Sequence, residues 1–152
     1  MGAAVPEHGR FARAISHPYS LVLARLFTSM VHRHGRNVQQ ADQQAQATIT
    51  LATELEFGSW LAWASVLAGW AQAHQGQPAE GIGRLREGIG SWNATGSLVL
   101  QPYFLALLAE AYVRNNQPAE ALTTIAEALV ITERTGERYF EAELSAQRRI
   151  AE

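Results

Sequence analysis

A tetrapeptide that occurs twice constrains the fold of this 152-residue chain more than any other feature. QPAE at 77–80 recurs at 117–120, and Thr95-Gly96 recurs at the same forty-residue spacing as Thr135-Gly136. A period of this length is typical of arrays in which each repeat is one small helical or β unit that stacks on its neighbours. The spacing therefore predicts about three full units, with a partial unit at each end.

Each unit contains two segments with helical periodicity. Leu122, Ile125 and Leu129 share one face of the segment that follows the second QPAE. Proline suits the first turn of a helix, where no internal N–H donor is needed, and glycine suits the left-handed residue at a helix end. QPAE and Thr-Gly therefore indicate where helices begin and end. The glycines of the segment after the first QPAE are interpreted as allowing close helix packing, at Gly81, Gly83, Gly88 and Gly90.

These boundaries predict an all-α fold of antiparallel helix-hairpin repeats stacked in a right-handed superhelix, in one domain spanning 1–152. The repeat units are 18–56, 58–95 and 101–135, with a partial unit at 138–152. We expect helices at 18–34, 37–56, 58–75, 78–95, 101–115, 118–135 and 138–151, and a short N-terminal helical remnant near 9–16.

The composition argues against several classes of function. The net charge of −2 provides no broad positive field for nucleic acid or an anionic membrane. All twelve basic residues are arginine, so the lysine of a phosphate-binding loop is missing, and the absence of cysteine rules out thiolate chemistry. Asp42 is the single aspartate, a poor supply for magnesium or calcium sites. We expect no enzyme activity and no cofactor.

The histidines and the termini are consistent with this expectation. His32 and His34 point about 200° apart on a helix and do not converge on one metal ion, so we interpret them as a solvated helix end, as we do His74 one repeat later. Glu141 and Glu143 also face different sides of a helix. The N-terminus lacks the apolar core of a signal peptide, and no apolar run approaches the ~18 residues of a membrane span. A soluble, cytoplasmic protein is expected.

The unit also resembles a known repeat family. The tetratricopeptide pattern of large, small and aromatic residues is matched by Leu108, Ala109, Tyr112, Ala121, Ile125 and Ala128, although the period exceeds that family's ~34 residues. Segments such as FGSWLAWASVLAGWAQAHQGQ and PYFLALLAEAY resemble the tetratricopeptide-like region of bacterial multidomain signalling proteins, in which an adenylate/guanylate cyclase or serine/threonine kinase is fused to an AAA-type ATPase. The resemblance covers about residues 14–145 and implies a sensory or protein-binding role in signal transduction.

In the tetratricopeptide family, the first helix of each unit lines a concave groove. Transferring that geometry places nine residues along the groove: Leu23, Met30, His34, Trp63, Trp70, His74, Tyr103, Glu110 and Arg114. Trp63 and Trp70 are seven residues apart and share a face. Two interpretations remain open: the tryptophans are groove anchors for a peptide or ligand, or they pack between repeats.

Three functions are consistent with these features of the sequence. The first is a non-catalytic scaffold that binds a protein, a peptide or a neighbouring domain of a parent protein. The second is a sensor whose aromatic groove closes around a small-molecule effector. The third is a spacer that dimerises through its ends, because the final helix has no following partner for its apolar residues Tyr139, Phe140, Leu144 and Ile150.

Overall fold

A computed structural model describes residues 18–138 and 140–152, and this part of the chain forms seven helices. They are α1 (Pro18–His34), α2 (Val38–Glu54), α3 (Gly58–His74), α4 (Pro78–Asn93), α5 (Gln101–Arg114), α6 (Pro118–Thr135) and α7 (Glu141–Ala151). Every end lies within three residues of the predicted one. The all-α prediction is thus confirmed for the described residues, which include no strand. The helix predicted near 9–16 lies outside them.

The helices pack as successive hairpins. Each helix contacts the next one in the chain, and the odd-numbered helices also contact one another in order: α1 with α3, α3 with α5, and α5 with α7. The odd-numbered helices therefore form an inner row, flanked by α2, α4 and α6. Within 18–138 and 140–152, no helix is both long and apolar enough to cross a membrane.

The connections between helices share one backbone geometry. A positive φ angle recurs every twenty residues, at Arg36, Glu56, Gly76, Gly96, Asn116 and Gly136. In four of these connections the next residue donates its N–H to the carbonyl five residues back: Asn37 to His32, Phe57 to Ala52, Gln77 to Gln72 and Gln117 to Tyr112. This bond is characteristic of the Schellman motif that ends helices. The forty-residue repeat is therefore two helix-plus-turn segments of equal length.

The predicted helix signals occupy the positions expected of them. Pro78 and Pro118 lie in the first turns of α4 and α6, and Gly136 ends α6 in the left-handed conformation with a φ angle of 72°. These positions confirm that QPAE begins a helix in both units.

Helix α3 lies at the centre of the array and touches α1, α2, α4 and α5. It contains no Asp, Glu, Lys or Arg, so it can be buried on several sides without burying an unpaired acidic side chain, lysine or arginine. Trp63 is 4% exposed and Trp70 is fully buried. Of the two interpretations, packing between repeats thus describes where both tryptophans lie. Because four helices surround α3, little of its surface is left exposed.

The final helix α7 covers part of its own apolar surface. Leu144 is fully buried and Phe140 is half-buried, whereas Ile150 is 66% exposed. Tyr139 lies outside the described residues. Less apolar surface is left open here than the sequence predicts, because α7 packs on both α5 and α6. Dimerisation through this helix stays a prediction.

Glycine brings α3 and α4 into close contact. A Cβ atom added to Gly81 would lie 2.6 Å from the carbonyl oxygen of Gly69, and one added to Gly88 would lie 2.9 Å from Cγ2 of Val66. The interpretation of these glycines as packing residues is confirmed at both positions. It is wrong for Gly83 and Gly90, where an added Cβ meets no atom within 4 Å, because both face away from α3.

Two substitutions in the same helix test this contact. We expect Gly81→Ala to lower the free energy of unfolding by about 1–3 kcal/mol, because its methyl group would push against the α3 backbone. Gly83→Ala should raise it by about 1 kcal/mol, since alanine favours a solvent-facing helical position over glycine. Urea denaturation of the two variants measures both changes. If Gly81→Ala were as stable as Gly83→Ala, the close α3–α4 packing would be disproved.

Candidate functional site

A buried carboxylate, that of Glu110 in α5, joins all four inner helices. Side chains from α1, the α1–α2 turn, α3 and α7 surround this carboxylate, and we call Glu110 together with these side chains the Glu110 cluster. Five of their nitrogen atoms lie within hydrogen-bonding distance of the carboxylate oxygens: Arg33 Nη2 at 3.1 Å, Arg36 Nη1 at 2.5 Å, Trp70 Nε1 at 3.3 Å, His74 Nε2 at 2.8 Å and Gln147 Nε2 at 3.2 Å. Glu110 as a whole is 7% exposed. Burial of a carboxylate is costly unless it is paired and hydrogen-bonded, and these five donors meet that requirement.

The surroundings of Glu110 keep it ionised. Burial alone would raise the pKa of this carboxyl from its ordinary value of 4.5, but the hydrogen bond from His74 and the charges of Arg33, His74 and Arg36 outweigh it and hold the pKa far below that value. Both carboxylate oxygens accept bonds: Oε1 from Arg36 and His74, and Oε2 from the other three donors.

His74 completes the cluster through both of its ring nitrogens. Nδ1 lies 2.9 Å from the carbonyl oxygen of Trp70, and Nε2 lies 2.8 Å from the carboxylate of Glu110. The imidazole of His74 is thus held in the core, with its side chain 3% exposed. The interpretation of His74 as a solvated helix end is therefore wrong.

Arg33 links the first inner helix to the last. Its Nη2 group donates to Glu110 and also to Glu143 of α7, 110 residues further along the chain. The guanidinium carbon lies 5.7 Å from the ring centre of Trp70 and 5.5 Å from that of Tyr103. Burial lowers the pKa of Arg33, but the hydrogen bond and charge of Glu143 and the charge of Glu110 raise it overall, so the side chain stays charged.

A cavity of about 480 Å³ adjoins the Glu110 cluster. Helices α1, α5 and α7 and the residue before α7 contribute its lining: Phe27, Met30, Val31, Arg33, His34, Tyr103, Phe140, Ala142 and Glu143. Most of these side chains are apolar or aromatic, whereas Arg33, His34, Tyr103 and Glu143 bring polar atoms. The cavity thus combines an apolar wall with the charged network behind it.

Two polar atoms of the cavity residues have no partner. Among the described residues, four buried side-chain atoms make no hydrogen bond, and the hydroxyl of Tyr103 and Nε of Arg33 are two of them; Nε of Arg25 and Nε1 of Trp63 are the others. Tyr103 is 3% exposed. Burial raises the pKa of its hydroxyl, with Glu143 and Glu110 adding to the rise against the opposing charge of Arg33, so the group is a neutral O–H donor.

The nine residues predicted to line a groove fall into three groups. Met30, His34 and Tyr103 line the cavity. Trp70, His74 and Glu110 belong to the cluster behind it. The third group takes part in neither: Leu23 is half-buried against the core, Trp63 packs among the aromatic rings of Trp60, Trp92 and Phe104, and Arg114 is exposed at the end of α5.

Sequence reasoning missed Arg33, Arg36 and Glu143. The repeat itself contains a signal for Glu143, which follows Tyr103 by forty residues and therefore occupies the same position in the next unit. Arg33 and Arg36 have no such signal, since the residues forty positions later are Ala73 and Gly76. Their role becomes apparent only when the inner helices are placed side by side.

Comparison with known proteins adds no relative. The sequence matches no protein-family model, and neither a curated protein nor a solved structure is significantly similar to it. Within the described part of the chain, no group of three or more His, Cys, Asp or Glu residues is placed to hold a metal ion. Function has therefore to be inferred from the Glu110 cluster and the cavity beside it.

The ionised state of Glu110 predicts a specific dependence of stability on pH. Because its folded pKa lies below the unfolded value, its contribution to stability is present above about pH 4.5 and is lost as the pH falls below that value. We expect Glu110→Gln to cost about 3 kcal/mol at pH 7, since Arg33 and His74 lose a charged partner. The variant should also lose less stability than the wild type between about pH 5 and pH 3.

Denaturant titrations at several pH values measure this difference. Glu127→Gln is the matched control, because Glu127 is exposed on α6 and lies outside the cluster. If Glu110→Gln lost as much stability in acid as the wild type, the pKa of the Glu110 carboxyl would not be lowered in the folded protein.

The unpaired hydroxyl of Tyr103 yields a second stability prediction. We expect Tyr103→Phe to raise the free energy of unfolding by about 1 kcal/mol, because a buried donor without a partner carries a desolvation cost that phenylalanine avoids. Tyr112→Phe, at a half-buried tyrosine elsewhere on the same helix, serves as the control. Chemical denaturation measures both. A marked loss of stability in Tyr103→Phe would mean that the hydroxyl is bonded in the folded protein.

Proposed function

We propose that this protein is a non-catalytic binding module, built as a tetratricopeptide-like right-handed superhelix, that serves as the sensory or interaction part of a bacterial signalling protein. The observation that carries the proposal is the cavity between α1, α5 and α7, one of whose lining residues, Tyr103, has a buried hydroxyl without a partner among the described residues. Natural proteins rarely bury unpaired polar groups, and those that do commonly place them at functional sites.

The size of the cavity favours a small-molecule effector. At about 480 Å³, it falls within the range of small-ligand sites, roughly 300–1,000 Å³. The Glu110 cluster occupies the space where the inner helices converge, since Arg33 of α1 reaches Glu143 of α7 there. An extended peptide groove along all the inner helices is therefore less compatible with this packing than a compact site between the first and the last inner helix.

Effector binding at this place has a direct route to the shape of the array. The cavity borders the first and the last inner helix, and the ion pair between Arg33 and Glu143 already joins them. A ligand held between Met30 and Phe140 adds a second connection across the same gap. Binding thus restrains the distance between α1 and α7. A neighbouring domain or partner protein that contacts both helices senses this change.

Protein recognition is the second candidate. Phe27 and Val31 line the same cavity and are 53% and 69% exposed, so apolar surface continues from the cavity onto the outside of α1. A partner that covers these residues and inserts one side chain into the cavity uses the same site. A homodimer through α7, where Ile150 is exposed, is a further form of this proposal.

The chemistry of the cluster supports a binding role over catalysis. A general base needs a lone pair within reach of the substrate and a pKa near the working pH. Both oxygens of Glu110 already accept hydrogen bonds, and its pKa is lowered rather than raised. The carboxylate therefore acts as a structural anion that positions Arg33 and its neighbours.

Filling the cavity tests the proposed function. Ala142 lines the cavity and is exposed, so we expect Ala142→Trp to leave stability within about 0.5 kcal/mol of the wild type while blocking the site. In a screen of small aromatic and aliphatic compounds by ¹H–¹⁵N NMR, binders should perturb Met30, Tyr103 and Phe140 in the wild type and lose affinity in Ala142→Trp. Ala79→Trp, at an exposed site in α4, should bind as the wild type does.

Two outcomes would contradict the proposal. One is a screen in which no compound perturbs the cavity residues. The other is a set of binders whose affinities are the same in Ala142→Trp and in Ala79→Trp.

A further inference from the structure

We propose that α1 is a dimerisation helix, which pairs with α1 of a second copy of this chain in an antiparallel arrangement about a two-fold axis. The contact face is a line of four exposed residues that we call the α1 seam: Ser20, Ala24, Phe27 and Val31. This pairing goes beyond the function proposed above, because it needs no ligand in the cavity and uses the first inner helix rather than α7.

The repeat shows that helices cover the same face elsewhere in the protein. Ala24, Phe27 and Val31 are exposed, whereas the residues forty and eighty positions after them are all fully buried: Ala64, Leu67, Ala71, Phe104, Leu107 and Ala111. These buried residues belong to α3 and α5, which pack against the second helix of the preceding unit, α2 and α4 respectively. Within the described residues, no helix precedes α1. The α1 seam is therefore a face of the kind that this array covers with a helix.

The α1 seam lies on the side of α1 that faces away from α2. Ser29 donates its hydroxyl to the carbonyl of Ala41 in α2. Gly69, forty residues later, meets α4 in the same way, since a Cβ atom added to it would lie 2.9 Å from the backbone nitrogen of Leu85. Val31 follows Ser29 by two residues, which is about 200° around the helix. A second helix therefore reaches the seam without displacing α2.

The spacing of the α1 seam fits an antiparallel helix pair. Its residues are four, three and four positions apart, as the core positions of a coiled coil are. With a two-fold axis between Arg25 and Leu26, Ala24 lies opposite the partner's Phe27, and Ser20 lies opposite the partner's Val31. Each layer then sets one small residue against one large residue, so the two seams interdigitate.

The lack of charge favours an identical partner. Symmetric pairing brings the same patch of both copies together, so an ionised residue in the seam would meet a like charge. The seam is uncharged, and so are the residues that flank it: Leu21, Leu23, Thr28 and Met30. Arg25 is the one ionised residue between 18 and 31, and its Nη1 is directed to Gln44 of α2 at 3.5 Å. Nothing in the seam thus opposes a second copy.

Sedimentation equilibrium of the full chain tests the proposal. The interface is small, so the mass should rise from that of one chain toward twice that value between about 1 µM and about 1 mM. Ala24→Glu should stay monomeric over the same range, because it sets a carboxylate against the partner's Phe27. Circular dichroism at low concentration should show the wild-type fold, since Ala24 is exposed in the single chain.

Ile150→Glu is the matched control. Ile150 is 66% exposed on α7, so this variant places the same charge on the competing dimer surface. It should dimerise as the wild type does.

A pair of complementary variants tests the antiparallel register. Phe27→Arg alone should stay monomeric, as Ala24→Glu does. In a mixture of the two, the introduced carboxylate faces the introduced guanidinium in one layer, and the other layer keeps the wild-type pairing of Ala24 with Phe27. The mixture should therefore form a heterodimer, which sedimentation detects as a gain in mass over either variant alone.

Three results would count against the proposal. A monomeric mass throughout the series, as expected if another segment of the chain or a different protein occupies the seam, would overturn it. A dimer that Ile150→Glu dissociates and Ala24→Glu does not would also overturn it. A variant mixture that stays monomeric would disprove the antiparallel pairing. Compounds that bind the cavity would leave each of these results unchanged, so the function proposed above is judged separately.

Discussion

The buried charge of Glu110 is the interaction on which the arrangement of the inner helices depends. In most stacked-repeat proteins each unit contacts only its neighbours, and the array behaves as a one-dimensional chain of interfaces. Here Arg33 of the first unit reaches Glu110 of the third and Glu143 of the partial fourth. Because a carboxylate at 7% exposure requires its donors, the first and last helices are tied to the centre rather than only to their neighbours.

Equal spacing is what brings these side chains together. The left-handed turn residue recurs every twenty residues, so the first three inner helices end forty residues apart, at His34, His74 and Arg114. Residues separated by forty then lie beside one another along the inner row: Trp70 bonds to Glu110, and Tyr103 and Glu143 line one cavity. The period that predicts the fold thus also determines which residues meet at the site.

The sequence predicts most of the fold and only part of the site, for physical reasons. Helix starts and ends depend on local chemistry, so Pro78, Pro118 and Gly136 mark them directly in the sequence. Arg36 and Glu56 adopt positive φ angles with side chains that usually avoid them, so no residue type marks those turns. The bond between Arg33 and Glu143 joins residues that are 110 positions apart, so it depends on how the inner helices pack side by side. No single periodic pattern in the sequence predicts that packing.

One repeat position shows how a site arises within a symmetric array. Leu23, Trp63, Tyr103 and Glu143 occupy the same place in successive units. The first two are apolar or aromatic packing residues, and Trp63 lies among other rings in the core. At Tyr103 the same place gains a hydroxyl, and at Glu143 it gains a charge that pairs with Arg33. A purely structural array has no need of these polar atoms, since a phenylalanine would pack at Tyr103 without an unpaired donor. The divergence of the repeat therefore occurs where α1 and α7 approach each other, and the two residues that introduce these polar atoms, Tyr103 and Glu143, line the cavity.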